Sequence, residues 1–508
     1  MAGCTSLSAA ISRDRRAQLT GGNVTITVVK SGVPRPLANY NEAFVVGDLV
    51  FAAGQLASDF KTGVPAEART QAGFPFYGSD IELQTTYILE NLKKTFAAAG
   101  SSLENVVKAQ VFLTDLNNFH GFDTVWKRYF KVPPPRTTIG CTGLLVADTL
   151  VEIDLIGYVP RKGLQHEVIT SSVPRPLANY NEAFVIGDLV FAAGQLASDF
   201  KTGVPPEARK RDGFPFYGSD IELQTAYVLE NLKKTFEAAG SSLEHVAKAQ
   251  VFLTDLNDFH GFDSVWKRYF KVPPPRTTIG CTGLLVKDTL VEIDLIGYRS
   301  GLKHEVVKSV APRPLAHYSE GFTVGSHVFA AGQIASDYRT GVPPEARKQK
   351  GFPFYGSDIE LQTAYILDNL KKTFEAAGSS LDQVAKAAGV SHRPQQLPWL
   401  RYGVEALLQA AAAHHHRLHR TAGAGYAGRN RSDRHKELGF RRPPRLTAQV
   451  PQNSGNDQAG AEKHEDIEGL AVEPPADHCN QRDTHEIERH HHAGVARAKS
   501  IGQAVMRG

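Results

Sequence analysis

Two arginines stand where the chain has little freedom to move them. Arg136 and Arg276 each follow three consecutive prolines in the segment KVPPPRTTIG, and proline restricts the approach of the backbone. A guanidinium fixed in this way offers two parallel N–H donors, which bind both oxygens of a carboxylate and set its orientation better than a lysine point charge would. A structural pairing with a nearby acid is the alternative. Downstream, Glu152 and Glu292 lie in the middle of LVEIDLIGY, on the face opposite Val151 and Ile153, a pattern that a solvated strand face explains. Cys141 and Cys281 read as small buried thiols in a strand, because nothing near them in sequence would depress their pKa.

The elements that carry these residues are readable from periodicity. Apolar strands are expected at 24–30, 42–46 and 49–54, the last two joined by a tight turn at Gly47 and Asp48. Ser79 and Glu82 form a capping box that opens a helix. Ile81, Leu83, Tyr87, Ile88, Leu92 and Phe96 recur along it, and Gly100 ends it. Val107, Ala109, Val111 and Leu113 alternate as a strand, and Phe119, Phe122, Trp126 and Tyr129 share one face of a second helix. Two closing strands follow at 136–145 and 149–156. The order βββαβαββ implies an α+β domain with two helices on one face of a mixed sheet of about six strands.

That domain is repeated. Residues 31–158 and 171–298 differ at 14 of 128 positions, and a third copy begins near Ser309 and stops matching after Ala387. A period this long marks an array of domains, each with its own core. The expected organisation is a disordered leader at 1–22, domains at 23–158 and 165–298, and an incomplete domain at 303–387. The formal net charge of the 508 residues is +4. Residues 388–508 hold 17 Lys and Arg against 13 Asp and Glu, so the repeat region is neutral. A neutral body gives no footprint for nucleic acid. No segment is long and apolar enough to span a membrane, and few cysteines suit a reducing compartment, so a cytoplasmic location is expected.

The motifs ANYNEAF, VFAAGQLASD, AAGSSLENVVKAQVFLTDLNNF, PPPRTTIG and LVEIDLIGY together resemble the RidA family, also called YjgF or L-PSP endoribonuclease, across each full repeat. The resemblance implies a chorismate-mutase-like fold and trimer-like association, within one chain or between chains, with a pocket at each boundary. It also implies hydrolysis of 2-imino or enamine acids such as 2-aminoacrylate to 2-oxo acids and ammonia, with no cofactor or metal. In that reading Arg136 and Arg276 bind the substrate carboxylate, and Glu152 and Glu292 position or activate water. Tyr40 and Tyr180 match a pocket tyrosine, with core packing as their alternative. Gly54 and Gly194 match a glycine whose backbone lies close to the ligand. Thr138 and Thr278 stand where some members carry cysteine. Asp123 and Asp263 replace a common asparagine, and their charge would repel a carboxylate unless protonated or turned away. The segment from Val64 to Ser79 exceeds the common family loop. A non-catalytic carboxylate-binding or protein-protecting role and an endoribonuclease are the rival functions.

From Ala388 the composition changes: Arg outnumbers Lys 14 to 3, and 12 of the 19 histidines follow. Shifting the reading of QVFLTDLNNF by one nucleotide yields AGVSHR, residues 388–393, and the same frame continues to residue 434. Residues 388–508 are therefore expected to be a frameshifted, disordered tail, and the histidine run at 414–416 to be shifted RTTI, not a metal site. The third repeat then lacks its own arginine and glutamate. Sequencing the DNA at codon 387 should restore VFLTDL after a one-nucleotide shift; a reading that stays closed in both other frames would reject the frameshift.

Overall fold

The computed structural model describes residues 3–5, 26–35, 39–71, 78–176, 178–210, 218–348 and 357–391. In the first repeat the strands Ile26–Val29, Ala43–Val46 and Leu49–Ala52 form an antiparallel meander. Leu49–Ala52 pairs with Val151–Tyr158, which pairs in turn with Val106–Leu113. Arg136–Gly140 closes the sheet as a parallel neighbour of Val106–Leu113. A two-residue strand, Gln55–Leu56, also pairs with Val151–Tyr158 and was not anticipated. The second repeat repeats this sheet, with Arg276–Gly280, Val246–Leu253 and Val291–Tyr298 in the same places. The third keeps a three-stranded meander over 304–330 and one long helix.

The helices form for the reasons the sequence gives. Asp80–Ala98 opens on the Ser79–Glu82 capping box, with the Ser79 amide donating to Glu82 Oε2 at 2.8 Å. Its buried residues Ile81, Ile88, Leu89, Leu92 and Phe96 join Val111, Ile153 and Leu155 in one apolar core. Phe119–Tyr129 adds Phe122, Val125 and Trp126 to it. At an apolar transfer energy of about 25 cal/mol per Å², each such side chain contributes about 2 kcal/mol.

The other face of the sheets carries Glu152 and Glu292, for which a solvated strand face was the alternative to a place in a pocket, and both residues are buried. All eight residues of Val151–Tyr158 are buried. A shared core takes Leu49, Val107 and Ile156 from the first repeat, Phe184, Phe191 and Tyr298 from the second, and Phe322 and Val324 from the third. A further cluster, including Phe112, Ile139 and Cys141 with Phe252, Cys281 and Leu284, joins the first two repeats. The alternation apolar-in, polar-out held as a pattern. What it could not give was the second partner, because a single repeat does not show what lies against its far face.

Three equivalent lysines mark the contacts between repeats. Lys108 Nζ donates to the Ala192 carbonyl, Lys248 Nζ to Ala330 at 2.6 Å, and Lys386 Nζ to Ala52 at 2.9 Å. The contacts thus run from first to second, second to third, and third back to first. The edge strand of the first repeat is capped by the second, with Gly140 donating to the Gly283 carbonyl at 3.0 Å, so that edge is not left open.

Two expectations of disorder need correction. Gly3–Thr5, placed in the leader, forms an antiparallel pair with Gly389–Ser391, placed in the tail. Backbone pairing needs no particular side chains, so composition could not reveal it. The rest of the expected tail from 392, and the GFPFY segment of each long loop, lie outside the described residues.

Candidate functional site

Arg136 begins the edge strand of the first repeat and is 2% exposed. Its guanidinium carbon lies 5.4, 5.0 and 5.1 Å from the ring centroids of Phe119, Phe122 and Trp126, residues that periodicity assigned only to a helix face. The fourth ring is Tyr180 of the second repeat, at 5.6 Å. Aromatic faces stabilise a desolvated cation. Burial pulls the Arg136 pKa down, and Asp123, Tyr180 and Glu292 oppose this; an arginine stays charged regardless.

The worry about Asp123 resolves in the geometry. Its Oδ1 accepts from Arg136 Nη2 at 3.0 Å, and its Oδ2 lies 3.1 Å from Lys127 Nζ. The carboxylate is thus turned onto two cations and orients the guanidinium. Arg136 Nε and Nη1 remain buried with no hydrogen-bond partner, as does Thr138 Oγ1. Unpaired donors cost about 1–3 kcal/mol each when buried, which a ligand carboxylate would recover.

Glu292 comes from the second repeat, not from the repeat that supplies Arg136. It is 3% exposed, accepts a hydrogen bond from the Thr138 amide, and keeps Oε2 unpartnered. Burial, reinforced by Asp294, pushes its pKa up to about 8, against the pull of Lys108, the Thr138 amide and Arg136. Gly194 lies against it: a Cβ there would come within 2.0 Å of Glu292 Oε1 and 2.9 Å of Thr137 Oγ1. Glycine is required by this close approach of two repeats, not by its φ. The Gly194 amide donates to the Arg136 carbonyl at 3.3 Å.

Arg136, Asp123 and Thr138 of the first repeat therefore meet Tyr180, Gly194 and Glu292 of the second. At the next boundary Arg276 is paired with Asp263 at 2.9 Å and ringed by Phe259, Phe262, Trp266 and Tyr318. The Gly332 amide donates to the Arg276 carbonyl at 3.2 Å, but the third repeat has no LVEIDLIGY and so no glutamate. At the third boundary Tyr40, Gly54 and Glu152 lie in the first repeat, with burial and then Glu152 raising the Tyr40 pKa, and the third repeat has no arginine after PPP to offer.

The Endoribonuclease L-PSP family model matches residues 31–159, 170–298 and 308–391. The chain belongs to this family, the RidA or YjgF family. A RutC family protein of Pyrococcus horikoshii is 36% identical over 136 residues, 27% of this chain and 99% of that protein. A 2-iminobutanoate/2-iminopropanoate deaminase of Dermatophagoides farinae is 31% identical over 130 residues, 25% of this chain and 92% of that protein. Among solved structures, RidA from the Antarctic bacterium Psychrobacter sp. is 34% identical, with a TM-score of 0.22, covering 26% of this chain and 98% of that one. No helix among the described residues is long and apolar enough to cross a membrane.

Residue chemistry alone missed the ion pair beside the site. Lys108 Nζ lies 2.6 Å from Asp294, both almost fully buried. Lys386 and Asp154 repeat the contact at 2.6 Å. A lysine inside VVKAQVFL and an aspartate inside VEIDLIGY were visible signals, but each pair crosses repeats. Cys141 is 1% exposed with its thiol pushed up to about 12 by burial, in keeping with a packing role.

Proposed function

We propose that the boundary between the first two repeats hydrolyses small 2-enamine and 2-imino acids to 2-oxo acids and ammonia. The observation that carries this reading is a buried guanidinium with two unpartnered nitrogens beside a carboxyl whose pKa is pushed up to about 8. The substrate carboxylate binds Arg136 at Nε and Nη1, with the Thr138 hydroxyl as a further donor. Glu292, carrying a proton at neutral pH, gives it to the methylene carbon of an enamine such as 2-aminoacrylate, or to the nitrogen of an imine. The cation that forms is electrophilic at C2. Glu292, now a carboxylate, takes a proton from water as the water oxygen bonds to C2. The same carboxyl then protonates the amine of the adduct and recovers a proton from its hydroxyl as the C–N bond breaks. Ammonia and a 2-oxo acid leave, and Glu292 ends protonated. No step needs more than orientation and one acid/base group.

The exposures of Arg136 and Glu292, 2% and 3%, favour a small substrate over a polynucleotide, as does the neutral repeat region. The reading also takes the three repeats as one trimer-like assembly within a single chain, a view the cyclic lysine contacts support.

A pH test follows from the carboxyl. The free enzyme needs Glu292 protonated, so kcat/KM should fall as pH rises through about 8. Asp294 raises that pKa, so Asp294→Asn should displace the falling limb to lower pH, the unpaired Lys108 adding to the shift. A limb that stays in place or moves up would count against Glu292 as the acid.

A further inference from the structure

We infer that the boundary between the second and third repeats is a second small-carboxylate site, one that holds its ligand without hydrolysing it. This rests on the reading of Arg136 given above. Arg276 is 2% exposed, and its Nε and Nη1 are buried without partners, as is Thr278 Oγ1. The same donors that would take a carboxylate at the first boundary are therefore present at the second. Asp263 Oδ1 and Oδ2 are occupied by Arg276 at 2.9 Å and Lys267 at 3.0 Å, so that carboxylate orients the guanidinium and repels nothing. The acid/base carboxyl is what differs: the third repeat has no counterpart of Glu292. The charges acting on Arg276 are those of Asp263 and Tyr318, whereas Glu292 acts on Arg136.

The walls differ too. Tyr318 Oη lies 3.2 Å from Tyr338 Oη, and the position of Tyr338 is held by Phe60 and Phe200 in the other repeats. The second site thus has a phenol where the first has an apolar ring. Strand residues 277–280 are half-buried, while their counterparts 137–140 are buried, so the strand that carries Arg276 is the less enclosed of the two. Among the described residues a carboxylate here meets a fixed cation with no carboxyl in the place of Glu292, and Lys248, which donates to Thr277 Oγ1 at 2.9 Å, is a second cation beside it. A 2-oxo acid released at the first boundary is a ligand of the right class.

The test is calorimetric titration of the full chain with pyruvate, alongside ammonia release from 2-aminoacrylate. Wild type should bind two equivalents. Arg136→Ala should lose turnover yet keep one equivalent. Adding Arg276→Ala should remove it. Should that double variant fold poorly, Arg136→Ala with Arg276→Lys, which keeps the charge and loses the fork, should weaken the remaining equivalent by about tenfold with an unchanged melting curve. If Arg136→Ala abolishes turnover and all pyruvate binding while staying folded, this inference is overturned and the proposed function stands. If turnover survives Arg136→Ala and is lost on Arg276→Ala, the second boundary is itself hydrolytic and both readings fall.

Discussion

Arg136→Ala is expected to lower kcat/KM for 2-aminoacrylate by on the order of a thousandfold, since it removes the group that fixes the substrate relative to Glu292. Positioning supplies much of the barrier reduction when a single acid/base group does the chemistry. The pairing with Asp123 at 3.0 Å and the four surrounding rings hold the guanidinium in one place, so little ordering is left to occur on binding. Arg136→Lys keeps the charge and loses the fork, and should recover only part of the activity. Initial rates of ammonia release check both. Activity that is indifferent to either change would remove the arginine from the account. Truncation also leaves the aromatic ring unfilled, so melting curves should accompany the kinetics; Asp123 keeps Lys127 at 3.1 Å and is not stranded.

Glu292→Gln should reduce kcat by about two to four orders of magnitude, the usual contribution of a positioned acid/base group. Glutamine preserves the shape of the side chain and can still accept from the Thr138 amide, so binding of pyruvate should change little. That separation of kcat from binding distinguishes a proton-transfer role from a structural one. The alkaline limb of the pH profile should vanish with the residual activity.

Much of one repeat could be read from the sequence because it is governed by local rules. The capping box at Ser79 and Glu82, the helical spacing from Ile81 to Phe96, and the alternation of Val151, Ile153 and Leu155 each depend on near neighbours, and each appears as an element. The arginine could be singled out since three prolines precede it. Its surroundings could not: Phe119, Phe122 and Trp126 read as a hydrophobic stripe, and only the parallel pairing of Arg136–Gly140 with Val106–Leu113 carries the guanidinium under that helix.

The partition of the site between repeats was legible only in outline. Nothing in LVEIDLIGY tells whether Glu152 or Glu292 faces Arg136. The answer depends on which repeat packs against the far side of the sheet, and Gly194, trapped between Glu292 and Thr137, fixes it. The third repeat shows the same logic in reverse. It provides Tyr318 and Gly332 to the second boundary, and Lys386 to the first repeat, using only residues before its break at 388.

The central claim is that the chain holds one complete hydrolytic site, built from Arg136 of the first repeat and Glu292 of the second. The most direct test compares ammonia release by Glu292→Gln and Glu152→Gln, two identical changes at equivalent positions of near-identical repeats. The account predicts a loss of about a hundredfold or more for Glu292→Gln and less than about threefold for Glu152→Gln, whose boundary has no arginine after PPP. Equal losses in the two variants, or a larger loss for Glu152→Gln, would contradict it.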